Sequence, residues 1–117
     1  MTQDALDKLL DLIGGDPDSL AELIESFVEE SPLLVDQMRR AAVSGDRAAL
    51  GRAAHTLKSS ARDFGAMDLA ALCEDMEKSC RVGLPEGAAS DVEVIANIST
   101  KAEKDLGEKL AVLRGGN

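Results

Sequence analysis

Apolar residues in this chain recur at intervals of three and four with almost no alternation, and that spacing restricts the fold to packed helices. Leu6, Leu9, Leu10 and Ile13 make one stripe that stops at Gly14 and Gly15, a short leading helix. Asp16 and Pro17 then form an N-cap and first-turn pair, and Leu20, Leu23, Ile24, Phe27 and Val28 keep one face of the next helix apolar. Residue usage agrees: Ala, Leu and charged residues dominate, and only two Phe represent the aromatics.

Pro32 lacks a backbone donor and crowds the preceding turn, yet Leu34, Val35, Met38 and Ala42 continue the stripe beyond it. One long, kinked helix ending near Gly45 is expected; the alternative is a break with Ser31 as a new N-cap. Asp46 caps a third helix with Leu50, Ala53 or Ala54, Leu57, Ala61 and Phe64 buried, and Gly65 stops it. A fourth run, with Leu69, Leu72, Cys73 and Met76, ends at Gly83 and Pro85. After a polar loop, "SDVE" reads as a capping box of Ser90 with Glu93. The helix it opens buries Val92, Ile95, Ile98, Leu106, Leu110 and Leu113, and Gly107 weakens it without ending it. The expected fold is all-α: an antiparallel four-helix bundle with a short extra N-terminal helix, in one domain over 1–117 whose core covers about 17–114.

At 117 residues the chain is one domain's worth. A formal net charge of −9 argues against nucleic acid, whose phosphates are met by clustered Lys and Arg. No apolar run approaches the ~18 residues of a membrane span. The opening "MTQDALDKLLDLIGG" is acidic and amphipathic rather than basic then apolar, so export is not expected. A cytoplasmic monomer with both thiols, Cys73 and Cys80, reduced is the expectation.

The single histidine, His55, lies ~160° around its helix from Leu57, so a buried Leu57 puts the imidazole in water. Its neighbours along that stripe are Gly51, Arg52, Lys58, Ser59 and Arg62. Gly51 and Ser59 are small and leave room for another protein's surface to reach the ring. From Asp46 to Asp63 the formal charge is +2, reversing the sign of the whole chain. Near neutral pH an imidazole of ordinary pKa, ~6.5, is mostly uncharged and keeps a lone pair for attack, and an ammonium nearby would stabilise a phosphoryl group's oxygens. A lone surface histidine is nonetheless most often inert, and spacing does not settle the matter.

"HTLKSSARDFGA" resembles the signature H-x-L-K-G-S-S-x-x-x-G-A of histidine-containing phosphotransfer (HPt) domains of bacterial two-component phosphorelays. His55, Leu57, Lys58, Ser60, Gly65 and Ala66 match; Ser59 stands where glycine is usual and Ala61 where serine is common. "DPDSLAELIESFVEESP" and "LAALCEDMEKSCRVG" are similar to the family's flanking helices. The resemblance implies a four-helix bundle in which His55 accepts a phosphoryl group from a receiver-domain phospho-aspartate and passes it to another response regulator. It implies that Lys58 stabilises phosphoryl charge, that Glu77 orients the imidazole, and that Gly51, Arg52, Ser59, Arg62 and Arg81 meet the partner. The partners would be receiver domains of response regulators or hybrid histidine kinases. Any Mg²⁺ would belong to the receiver, and this chain would bind no cofactor or metal.

On this reading the chain is a free-standing phosphoryl carrier with no kinase or ATP-binding domain of its own; no G-x-x-x-x-G-K-[ST] phosphate loop occurs. The rival reading is a helical adaptor that binds receiver or kinase domains without phosphotransfer. A zinc site on His55, Cys73 and Cys80 is disfavoured, because seven residues separate the thiols by ~10 Å along a helix while each must lie ~2.3 Å from the ion.

Overall fold

The structure, a computed structural model, describes residues 3–115. Among these, five helices follow in order: α1 (Gln3–Leu12), α2 (Pro17–Ser44), α3 (Arg47–Asp63), α4 (Met67–Val82) and α5 (Ala88–Leu113). Asp16 opens α2 by accepting from the Asp18 amide at 3.1 Å, with Pro17 at the first helical position. Gly45 closes it in the left-handed region, φ 76°, its amide donating to the Ala41 carbonyl. Asp46 immediately caps α3, accepting from the Ala49 amide at 3.0 Å. Two residues therefore reverse the chain, and α2 and α3 become antiparallel neighbours.

α2 runs unbroken through Pro32. Ser31 does not cap a new helix: its hydroxyl is buried and donates to Glu103 Oε2 at 2.7 Å, where Ser99 also donates at 2.9 Å. Because Pro32 removes only one ladder donor, the apolar face on both sides keeps the helix seated. The Arg39–Glu93 pair at 2.8 Å and the Arg114–Glu25 pair at 2.5 Å show α5 antiparallel to α2. Arg62–Glu74, at 3.5 Å, and His55–Glu77, at 2.8 Å, likewise set α4 antiparallel to α3. α2, α3, α4 and α5 so form the bundle.

Leu20, Ile24, Met38, Leu50, Leu57, Leu69, Ile95 and Leu106 fill its core. Truncating any one of these leucines to Ala would cost about 2–5 kcal/mol. Phe27 and Phe64 meet edge to face, centroids 5.3 Å apart, and α1 packs at this end through Leu6, Leu9, Leu10 and Ile13. Leu23, placed on the apolar face from spacing, is 40% exposed instead.

The start of α5 departs from the sequence expectation. The helix begins at Ala88 after Gly87, which sits at φ 70° with no side-chain cap, so Ser90 is already inside it. Glu93 is engaged with Arg39 and is not turned back to a cap. Ala88 is buried, and packing that residue extends the helix two positions toward the loop.

Gly107 is an interior glycine of α5 beside which an added Cβ meets nothing within 4 Å. Gly107→Ala is expected to stabilise the fold by about 0.5–1 kcal/mol and raise Tm by roughly 2–5 °C in a thermal melt followed by circular dichroism.

Candidate functional site

His55 lies mid-way along α3 between buried Ala54 and Leu57, which lock the face of the helix that turns the imidazole outward. Its side chain is 59% exposed. One ring nitrogen is committed: Nδ1 lies 2.8 Å from Oε2 of Glu77 on α4. The other carboxylate oxygen, Oε1, accepts from Lys58 Nζ at 2.5 Å, and Arg81 Nη2 stands 3.5 Å from Oε2. The Lys58 ammonium, followed by the His55 hydrogen bond, holds the Glu77 carboxyl below the usual carboxylate range. An ionised carboxylate only accepts, so the proton of this bond sits on Nδ1, and in the neutral ring it is Nε2 that carries the lone pair.

Lys58 differs from the sequence expectation. Placed on the outer stripe with His55, it is 8% exposed, its ammonium turned to α4 and onto Glu77. A lysine stem is long enough to lie along the bundle while its charged head reaches a carboxylate at the seam, which residue spacing does not encode.

Beside His55 a cleft of ≈ 590 Å³ opens between α3 and α4, lined among others by Arg47, Arg52, Arg81, Gly51, Thr56 and Cys80. Three guanidinium groups thus share a cleft with the imidazole. A second groove, ≈ 430 Å³, runs between α2 and α3 past Leu34, Gln37 and Ala49 and shares Arg52 and Thr56 with the first. Cys73 and Cys80 are both buried free thiols; burial pushes Cys73 up to about 12 and raises Cys80 as well, so neither is a ready nucleophile.

A model of the Hpt domain family matches residues 22–113, most of the chain. The chain belongs to the Hpt domain family. Membership assigns it in general terms to histidine phosphotransfer in phosphorelay signalling. The crystal structure of histidine-containing phosphotransfer protein B (HptB) from Pseudomonas aeruginosa PAO1 shares the fold, with a TM-score of 0.85, 24% identity, and coverage of 94% of this chain and 93% of that one. A comparison with curated proteins finds no match. Among the described residues, no helix of this Hpt domain is long and apolar enough to cross a membrane.

Of the residues singled out from the Hpt-like signature and its surroundings, His55, Lys58, Glu77 and Arg81 meet in one network, and Gly51 and Arg52 line the adjoining cleft. Ser59 is exposed, and its hydroxyl donates to the His55 carbonyl at 3.2 Å, folded against its own helix. Arg62 stands outside the cleft and pairs with Glu74. Sequence reasoning did not single out Arg47, Thr56 or Cys80 as lining residues. Arg47 was findable, since Arg47, Gly51 and His55 fall at successive four-residue steps on one helix face. Cys80 was not, because its place in the cleft depends on how α4 lies against α3.

Proposed function

We propose that His55 is the phosphoryl-carrying residue of this Hpt domain and that its partners are receiver domains. The observation that carries the reading is the 2.8 Å contact of Nδ1 with the Glu77 carboxylate, which selects the neutral tautomer with Nε2 bare, on an exposed ring beside three arginines. Nε2 attacks the phosphorus of a receiver's aspartyl phosphate; the N–P bond forms as the P–O bond breaks, and the aspartate leaves with the electron pair as a carboxylate. The phosphorylated ring keeps its proton on Nδ1 and gains positive charge, which the Glu77 carboxylate 2.8 Å away offsets. A second receiver's aspartate then takes the phosphoryl group by the reverse exchange, and the ring electrons return to Nε2.

Lys58 acts in this scheme through Glu77, keeping it ionised and in place, while Arg52, Arg81 and Arg47 in the cleft face the phosphoryl oxygens and the acidic surface of the receiver. Mg²⁺ belongs to the receiver's carboxylates, and no residue here is assigned to it. The α2–α3 groove, lined by Leu34, Ala41, Ala49 and Ala53 among others, gives the receiver an apolar contact next to the charged one. We place this exchange in the cytoplasm, with the chain acting as a monomer.

The test is incubation with a phosphorylated receiver domain. Acid-labile, base-stable label mapping to His55 is the expected result; binding of the receiver without label would replace the relay reading with that of an adaptor. Arg52→Glu is expected to weaken receiver binding about fivefold to tenfold at low ionic strength, and much less at 1 M salt, where the screening length is ~3 Å. A calorimetric titration with the same affinity ratio at both salts would point to a mainly apolar docking face.

A further inference from the structure

Glycine is a costly choice inside a helix, second only to proline, yet α3 carries Gly51 one turn before His55. Unlike Gly107, it has a neighbour in the way: a Cβ built on Gly51 meets the Cβ of Cys80 at 3.3 Å. The missing side chain therefore faces α4 as well as lining the cleft, and the access expected from sequence is half of what this position provides. A Cβ is fixed to its backbone and cannot turn aside by a change of rotamer. With a side chain at position 51, α4 itself has to give by a few tenths of an ångström.

Gly51 precedes His55 by four residues on α3, and Cys80 follows Glu77 by three on α4. The Gly51–Cys80 contact and the His55–Glu77 hydrogen bond are thus neighbouring rungs of one antiparallel seam. We infer that Gly51 is a positioning residue for His55: by letting α4 seat Cys80 against α3, it holds the Glu77 carboxylate within hydrogen-bond distance of Nδ1 and keeps Nε2 the nitrogen with the free lone pair. Hydrogen bonds weaken steeply as they lengthen or lose alignment, so a shift of α4 acts first on the 2.8 Å bond. Without that bond a histidine side chain favours the proton on Nε2, the nitrogen that must attack. The inference rests on the phosphotransfer reading of His55 for its consequence, but the tautomer is observable without it.

The experiment compares the wild-type chain with Gly51→Ala, Gly51→Ala/Cys80→Gly and Gly107→Ala, reading the ¹⁵N shifts of the His55 ring and the rate of label uptake from a phosphorylated receiver. Gly51→Ala gains helix propensity and is expected to stay folded. Its ring proton moves partly to Nε2 and its uptake slows roughly threefold to tenfold, a fraction of the ~10²-fold cost of a 1 Å misplacement. Cys80→Gly in the same chain, which removes the contacted Cβ, restores both, and Gly107→Ala moves neither. A folded Gly51→Ala with the wild-type tautomer and rate overturns the inference. Wild-type protein that takes up no label, while the ring nitrogens respond as described, overturns the phosphotransfer reading and leaves the positioning role of Gly51 standing.

Discussion

His55→Gln is expected to take up no phosphoryl label from any phosphorylated receiver, while its helical content and melting temperature stay those of the parent. The loss is complete because this is the chain's single histidine, and a glutamine amide offers no nucleophilic nitrogen lone pair. Stability is spared for a reason of geometry. The imidazole side chain is 59% exposed and its one recorded side-chain partner is Glu77, to which a glutamine NH₂ also donates. Surface changes of this kind stay within about ±0.5 kcal/mol. Acid-labile label retained by His55→Gln would remove His55 from the mechanism, and a large fall in Tm would mean that the imidazole is structural after all.

Glu77→Ala is expected to have the next largest effect, and on two measurements at once. It deprives Nδ1 of its acceptor, so label uptake falls on the order of 10²-fold, as for other groups that orient a catalytic base. It also leaves the Lys58 ammonium, on a side chain only 10% exposed, without the carboxylate that accepts its hydrogen bond. An orphaned hydrogen bond to a charged group costs about 1–3 kcal/mol, short of the value for a fully buried pair because some water reaches both groups. Glu77→Gln keeps one acceptor oxygen where His55 and Lys58 occupy two, so uptake and stability both fall, each less than in Glu77→Ala.

The same pair predicts a pH dependence. With its carboxyl held below the ordinary range in the fold, chiefly by Lys58, Glu77 binds fewer protons folded than unfolded in mild acid. The stability it contributes is therefore fully present above the unfolded carboxyl value of about 4.3 and is lost as pH falls through the lower folded value. Chemical denaturation at several pH values should show the gap between the parent and Glu77→Gln shrinking as pH falls below the unfolded carboxyl value of about 4.3. A gap that is constant with pH would mean that folding does not lower the Glu77 carboxyl.

The helices were legible because each has local signals that tertiary contacts then agree with: Asp16 and Pro17 at the start of α2, Asp46 at the start of α3, Gly45 and Gly65 at their ends. Ser90 shows where such signals fail. A capping box contributes little against the burial of Ala88, so the helix begins earlier than its own chemistry would place it. Ser31 makes the same point: a cap only under the alternative of a helix break at Pro32, it lies inside the expected continuous helix and is buried against Glu103 on α5, a partner 72 residues away.

The orientation of His55 was determined by the sequence alone, since a 3.6-residue helix with Leu57 inward leaves the imidazole only the outer face. The phosphotransfer signature around it is equally a property of the string. Which ring nitrogen is free, where the Lys58 ammonium goes, and why Gly51 has no side chain were decided by tertiary structure. Each depends on how closely α4 approaches α3, and that distance is a balance of packing across two helices that neither helix's periodicity contains.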